Sequence, residues 1–242
     1  FPNNIFLSSS DIDADELTDV EEEIFKTDSG TWDTDLDGYY DGQEIFNLYN
    51  PTGTAPEKII DSGLVREYVN PKWQYRVYYP APWKVDAVDD AANQVLISTI
   101  TGEYIEIHAF QKNQGQSFIS WFAKNATGQQ YSDLTKHTNR FQVEQLQRKD
   151  GLVGYVDTDN IVFVLVYHLG VEKQILYPNV MRLMFQSFRP VRTFIDIPDQ
   201  EILPEPAVAT TTVSTFVTST ENIVTSTSIL DTDTDIVISD SL

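Results

Sequence analysis

The sequence predicts an α+β protein with three zones: acidic loops with short helices, an antiparallel sheet packed with helices, and an extended Thr/Ser-rich tail. Three observations predict it. Residues 11–22 and 33–44 repeat one acidic pattern. Residues 64–195 alternate short apolar runs with turn signals and close on a helical period. Residues 196–242 open on prolines and continue as Thr and Ser. The expected organisation is therefore an acidic repeat segment over 1–56, an α+β sandwich domain over 57–195 and a tail over 196–242.

Charge follows the same division. The net charge is −21. Residues 1–61 hold 16 acids and 2 bases, residues 196–242 hold 9 acids and no base, and the middle holds 12 acids and 14 bases. A nucleic-acid partner is not expected, because phosphate binding needs clustered Lys and Arg. Dense carboxylates point instead to hard cations or to a solvated surface. The chain has no cysteine, which excludes disulfides, zinc thiolate sites and thiol catalysis. No run of about 18 apolar residues is present to span a bilayer. The first residue is Phe1; a processed chain and a chain trimmed of a signal or anchor both fit, which leaves open a membrane tether outside this sequence.

The two loops carry the clearest chemistry. Residues 11–22 place Asp11, Asp13, Asp15, Asp19 and Glu22 at loop positions 1, 3, 5, 9 and 12. Residues 33–44 place Asp33, Asp35, Asp37, Asp41 and Glu44 at the same positions. Alternate residues of a tight loop turn their carboxylates inward, as calcium requires for its six to eight oxygens. Position 7 offers a backbone carbonyl, here Leu17 or Tyr39, and position 12 a carboxylate that can chelate with both oxygens. Position 6 favours glycine because φ is positive there; Gly38 satisfies this and Glu16 does not. About two calcium ions are expected. Magnesium demands a smaller octahedral shell, and zinc would need Cys or nearby His. Ile24-Phe25 and Ile45-Phe46 follow the loops as apolar faces of short helices. A third acidic run, 231–235, lacks glycine at position 6 and carboxylates at positions 9 and 12, so it is rejected as a complete site.

On these residues, together with Thr27-Asp28 and the closing Asn50-Pro51, segment 11–56 resembles the bacterial thrombospondin type 3 repeat. That resemblance implies EF-hand-like, calcium-dependent rigidity in a surface or envelope protein, and makes Asp28 a secondary ligand candidate. Glu16 in place of glycine and Ser29 in place of the usual proline depart from the family pattern.

In the middle zone, 75–80 alternates and ends on a proline, and Trp83-Lys-Val follows. Segments 94–99 and 104–111 read as strands joined at Thr101-Gly102. Ser117 is placed to cap a helix reaching Lys124 that buries Phe118, Trp121 and Phe122. Segments 141–147, 152–158 and 161–169 read as three further strands, turning at Asp150-Gly151 and Asp159-Asn160. An amphipathic helix is expected within 173–188, with Pro178 near its start. The run from Tyr75 to Trp83 and the terminal Ser187-Phe188-Arg189 are similar to the PsbP/Mog1-like fold, whose members have unrelated functions.

Little in this zone suggests catalysis. His108, His137 and His168 lack paired ligand spacing and read as structural. Trp73, Trp83, Tyr75, Tyr78 and Tyr79 read as strand packing. Asn125-Ala-Thr127 fits a glycosylation acceptor pattern. The expectation is a non-catalytic, calcium-stabilised extracellular or cell-envelope protein, in which a rigid stalk over 11–56 displays an interaction domain to protein partners at the cell surface. A filament or layer subunit that self-assembles by strand donation from the tail is the alternative, and a secreted hydrolase the least favoured.

Overall fold

Seven antiparallel strands in the order β3-β4-β5-β9-β8-β7-β6 organise the molecule, with helices on both faces. The strands are β3 (Lys84–Ala87), β4 (Gln94–Ser98), β5 (Tyr104–Gln111), β6 (Leu134–Thr138), β7 (Glu144–Arg148), β8 (Val153–Asp157) and β9 (Ile161–His168). A separate antiparallel pair joins β1 (Val65–Val69) to β2 (Arg76–Pro80). This computed structural model describes residues 9–171, 173–191 and 197. The fold is α+β, as the sequence patterns predict.

Both faces of the central strands are covered. On one face, Ile105, Ile107, Phe163 and Leu165 join α5 (Pro178–Ser187), which buries Val180, Met181, Leu183, Met184 and Phe185. On the other, Val162, Val164 and Tyr155 meet Phe118, Trp121 and Phe122 of α4 (Phe118–Asn125). A strand buried on both sides reads as an unbroken apolar run, which is why β9 is conspicuous in the sequence. Ser117 caps α4 by accepting a hydrogen bond from the Ser120 N–H. Pro178 stands at the start of α5, where its missing N–H is harmless and its ring excludes the five preceding residues from the expected helix. A polar strand escapes the sequence reading: β6 is Leu-Thr-Lys-His-Thr, an edge strand whose last four residues are exposed.

The acidic segment and the sheet share one apolar core. The acidic segment contributes α1 (Asp19–Phe25) and α2 (Asp41–Asn47), followed by α3 (Ile59–Ser62). Leu17, Phe25, Ile45, Leu48 and Tyr49 are fully buried and belong to the same apolar cluster as Val77, Ile105 and Met184. α2 packs against α5, so the described part of the segment is built into the domain's core. The tail over 196–242, with the rejected run at 231–235, lies outside the described residues apart from Ile197.

Packing is closest where β8 passes under α5. A Cβ added at Gly154 would lie 2.1 Å from Phe185 Cε1 and 2.5 Å from Cζ. Gly154→Ala is expected to destabilise the protein by about 1–3 kcal/mol through overpacking. Thermal unfolding reads this as a Tm lowered by at least a few degrees.

Candidate metal centre

The two loops have the same backbone course. Left-handed residues occur at Ala14, Glu16 and Lys26 (φ 63°, 78° and 66°), then at Leu36, Gly38 and Leu48 (64°, 96° and 67°). Each recurs at the corresponding place of the second loop, and α1 and α2 start at position 9 of each. Glu16 therefore adopts the conformation that glycine favours, at a cost on the order of 1 kcal/mol.

Position 9 closes each loop. The Asp19 carboxylate accepts from the Ile12 N–H at 3.1 Å. Asp41 accepts from the Thr34 N–H at 3.0 Å and from Thr34 Oγ1 at 2.6 Å. Both aspartates thus clamp position 2 of their own loop, and position 9 can meet a cation directly or through water. Leu17 and Tyr39, expected to offer carbonyls, bury their side chains.

The aspartate triplets converge. Asp11, Asp13 and Asp15 bring one oxygen each to within 4.8 Å of one another, and so do Asp33, Asp35 and Asp37. Several of these oxygens help shape the loop. Asp11 accepts from the Ala14 N–H and Asp33 from the Asp37 and Gly38 N–H groups. Asp37 accepts from Tyr39 at 3.2 Å and from Ala55 at 2.6 Å. Asp28, the secondary candidate, is exposed and accepts from the Gly30 N–H.

Three carboxylates, and one oxygen of a fourth, lack such partners. Both oxygens of Asp13, Glu22 and Glu44, and Oδ2 of Asp35, are buried and accept no hydrogen bond. Glu22 is 2% exposed and Glu44 fully buried. An unpaired buried carboxylate costs several kcal/mol, so proton or cation must compensate. Without a cation, protons do. Burial, then the neighbouring Asp37 and Asp35, pushes Glu44 up to about 10. Burial, then Asp13, raises Glu22 to about 7. Burial also leads in raising Asp13, Asp15 (to about 8), Asp35 (to about 6) and Asp41 (to about 6). Among the described residues the convergent groups are the two aspartate triplets alone; Glu22 and Glu44 lie outside them but feel their charge, and together these oxygens form a donor set that could hold a hard divalent cation.

The loops also touch each other. Asp15, fully buried, accepts from the Leu17 N–H at 2.7 Å and from the Gly42 N–H at 3.0 Å. A Cβ on Gly42 would lie 2.4 Å from the Asp15 carbonyl oxygen. Sequence reasoning also misses Glu21. Thr18 and Glu21 form a capping box on α1, and Thr18-x-x-Glu21 is its readable signature. The second role of Glu21, as acceptor for Asn179 and Val180 N–H groups, joins residues 158 and 159 positions apart and has no local sequence signal.

The histidines lie elsewhere. His168 Nε2 is 2.9 Å from Glu106 and its ring stacks on Tyr104; His108 stacks on Phe110. His137 is exposed on β6.

No family model matches this chain, and no curated protein matches it. A solved structure from Bacteroides thetaiotaomicron VPI-5482 is similar over 54% of this chain and 50% of its own, with a TM-score of 0.35 and 12% identity. The likeness is too slight to bear on fold or function.

Two outcomes are expected here. Carboxylates raised in the folded state stabilise it below their ordinary pKa values near 4 and lose that contribution as pH climbs through the raised values. In chelator, Tm should therefore fall between pH 5 and pH 8. With millimolar calcium, which needs the carboxylates ionised, the gain in Tm over chelator should grow across the same interval. Separately, Gly42→Ala, although in the second loop, should weaken cation binding at the first by displacing Asp15; calorimetric titration reads the loss.

Proposed function

We propose that this chain is a non-catalytic, calcium-stabilised protein of the cell exterior or envelope, in which each acidic loop holds one calcium ion. The observation that carries the reading is the set of buried carboxylate oxygens without partners at Asp13, Glu22, Asp35 and Glu44. The ligands of the first ion are Asp11, Asp13, Asp15 and Glu22, with the Leu17 carbonyl; those of the second are Asp33, Asp35, Asp37 and Glu44, with the Tyr39 carbonyl. Asp19 and Asp41 hold the loops closed. Calcium is favoured because every donor is an oxygen and the loops are flexible in coordination number.

The resemblance to thrombospondin type 3 repeats supports the same reading and an exported location. Extracellular calcium loops commonly bind at about 10⁻⁴–10⁻³ M, concentrations met outside cells and not in cytosol. An ion at a hundredfold its Kd would stabilise the folded chain by about 2.7 kcal/mol. Since the acidic segment shares the domain's core, that stabilisation acts on the whole compact unit. The α+β domain then serves as an interaction module for protein partners.

The exposed edge strand β6 favours one second reading, in which a strand from another copy's tail pairs with this edge in a filament or layer. Deletion of residues 207–242 would abolish such assembly in a size measurement; unchanged assembly would reject it.

Calorimetric titration tests the main reading. About two calcium ions should bind the parent chain, and Asp33→Ala or Glu44→Gln should each remove one. Absence of heat at millimolar calcium, with the chain folded, would end the proposal.

A further inference from the structure

Resting on the calcium reading above, we infer that the ion of the first loop governs the seating of α5, the helix that closes the core of the α+β domain. The inference rests on how the loop is wired to the segment entering that helix.

Three residues inside loop 11–22 make polar contacts across this junction. The Glu16 carbonyl accepts from Asn179 Nδ2 at 2.5 Å. Thr18 Oγ1 donates to the Leu176 carbonyl at 2.8 Å. Glu21 Oε1 accepts from the Asn179 N–H at 2.6 Å and the Val180 N–H at 2.9 Å, and its Oε2 from Asn179 Nδ2 at 2.8 Å. Just before the loop, the Ser9 N–H donates to the Ile175 carbonyl at 3.2 Å. Glu16, Thr18 and Glu21 occupy positions 6, 8 and 11, interleaved with ligand positions 5, 7 and 12. The course that gathers the ligands is therefore the course that presents these groups to α5.

The helix depends on them. Its N-cap residue, Tyr177, makes no side-chain cap hydrogen bond, and a helix leaves its first N–H groups without internal partners. Glu21 supplies a carboxylate to two of those groups, where the helix dipole favours negative charge. The carboxylate is wholly buried, with Asn179 almost so. Beyond this junction α5 is held by apolar contacts through Val180, Met181, Met184 and Phe185, and its C-terminal end by hydrogen bonds from Asn139 and Gln145 to the Phe185 carbonyl, from the Arg140 N–H to Gln186 and from the Tyr78 N–H to Ser187 Oγ; its N-terminal turn is the part that relies on the loop.

Removal of the ion leaves Asp11, Asp13, Asp15 and Glu22 facing one another. Their repulsion is relieved by opening the loop to water, and opening displaces Glu16, Thr18 and Glu21 together. The second loop meets α5 through the packing of α2, and its Asp37 is tied to Ala55. The first ion therefore acts on α5 through directed polar contacts, and the second acts on that helix less directly. Linkage is reciprocal, so loss of the Glu21 contact should weaken calcium binding at the first loop by the factor by which calcium secures the helix.

Hydrogen exchange on the full chain, read by mass spectrometry with millimolar calcium and with chelator, tests this. Chelation is expected to speed exchange across 178–187 by about tenfold or more, and by less across 94–98 and 104–111. Asp13→Ala should reproduce the effect in calcium, whereas Asp35→Ala should leave α5 protected. Glu21→Ala should still bind two ions, the first about tenfold more weakly, with α5 exchange no longer responsive to calcium. If Glu21→Ala does not fold, the contrast between Asp13→Ala and Asp35→Ala decides alone. Calorimetry showing the first ion bound while α5 exchange ignores chelation, or follows the sheet in equal measure, overturns the inference and leaves the calcium reading standing. No ion at the first loop overturns both.

Discussion

Negative charge folded against an apolar core is the constraint from which the rest of this structure follows. Two unit charges 4 Å apart interact by about 4 kcal/mol at an effective dielectric constant near 20. The aspartate triplets gather three carboxylates each within 4.8 Å, and a buried glutamate without hydrogen-bond partners is electrostatically coupled to each. Repulsion on that scale rivals the whole stability of a domain, typically 5–15 kcal/mol. Such loops close only when protons or a cation neutralise them. Asp19 and Asp41 hold position 2 of each loop, and Asp11, Asp15, Asp33 and Asp37 also accept backbone N–H groups, which leaves Asp13, Glu22 and Glu44 as the carboxylates with no hydrogen-bonding task in the loops.

The same constraint explains why the loops are built into the domain. A pair of short helices of seven residues each is far below the length at which isolated helices are stable in water. Phe25, Ile45 and Leu48 find their burial in the cluster that also contains α5 and the sheet. Asp15, reaching both the Leu17 and Gly42 N–H groups, binds the two loops into one body. Energy released by cation binding is thereby available to the fold as a whole and not only to the segment that binds.

The loops were legible in the sequence because alternate carboxylates with a glycine at position 6 leave a strict local signature. The central strands were legible for a similar reason, since burial on both faces gives Ile161–His168 an almost continuous apolar run. What escaped depends on contacts between distant residues. The polar edge strand β6 has no apolar period, and its pairing with β7 alone identifies it. The cluster of prolines and glycine after Asn50 reads as a turn or linker, and it is an ordered turn: the Asn50 N–H donates to the Glu57 carbonyl, and Ala55 donates to Asp37. Composition there gives no sign that packing joins the residues on its two sides. Glu21 is visible as half of a capping box, whereas its hold on α5 spans most of the chain.

Glu16 joins these threads. In the loop pattern it is a departure, because position 6 calls for glycine and the residue sits at φ 78°. In the fold it is a connector. Its carbonyl receives Asn179, its carboxylate accepts from Gln43 Nε2 at 2.9 Å, and Arg182 lies 3.6 Å away on α5. Gly38, the equivalent residue of the second loop, has no side chain with which to make such contacts, and a Cβ there would meet nothing within 4 Å. Backbone strain of about 1 kcal/mol is accepted at position 6 of the first loop and avoided at Gly38 in the second. The departure from the pattern thus falls in the loop whose polar groups reach α5.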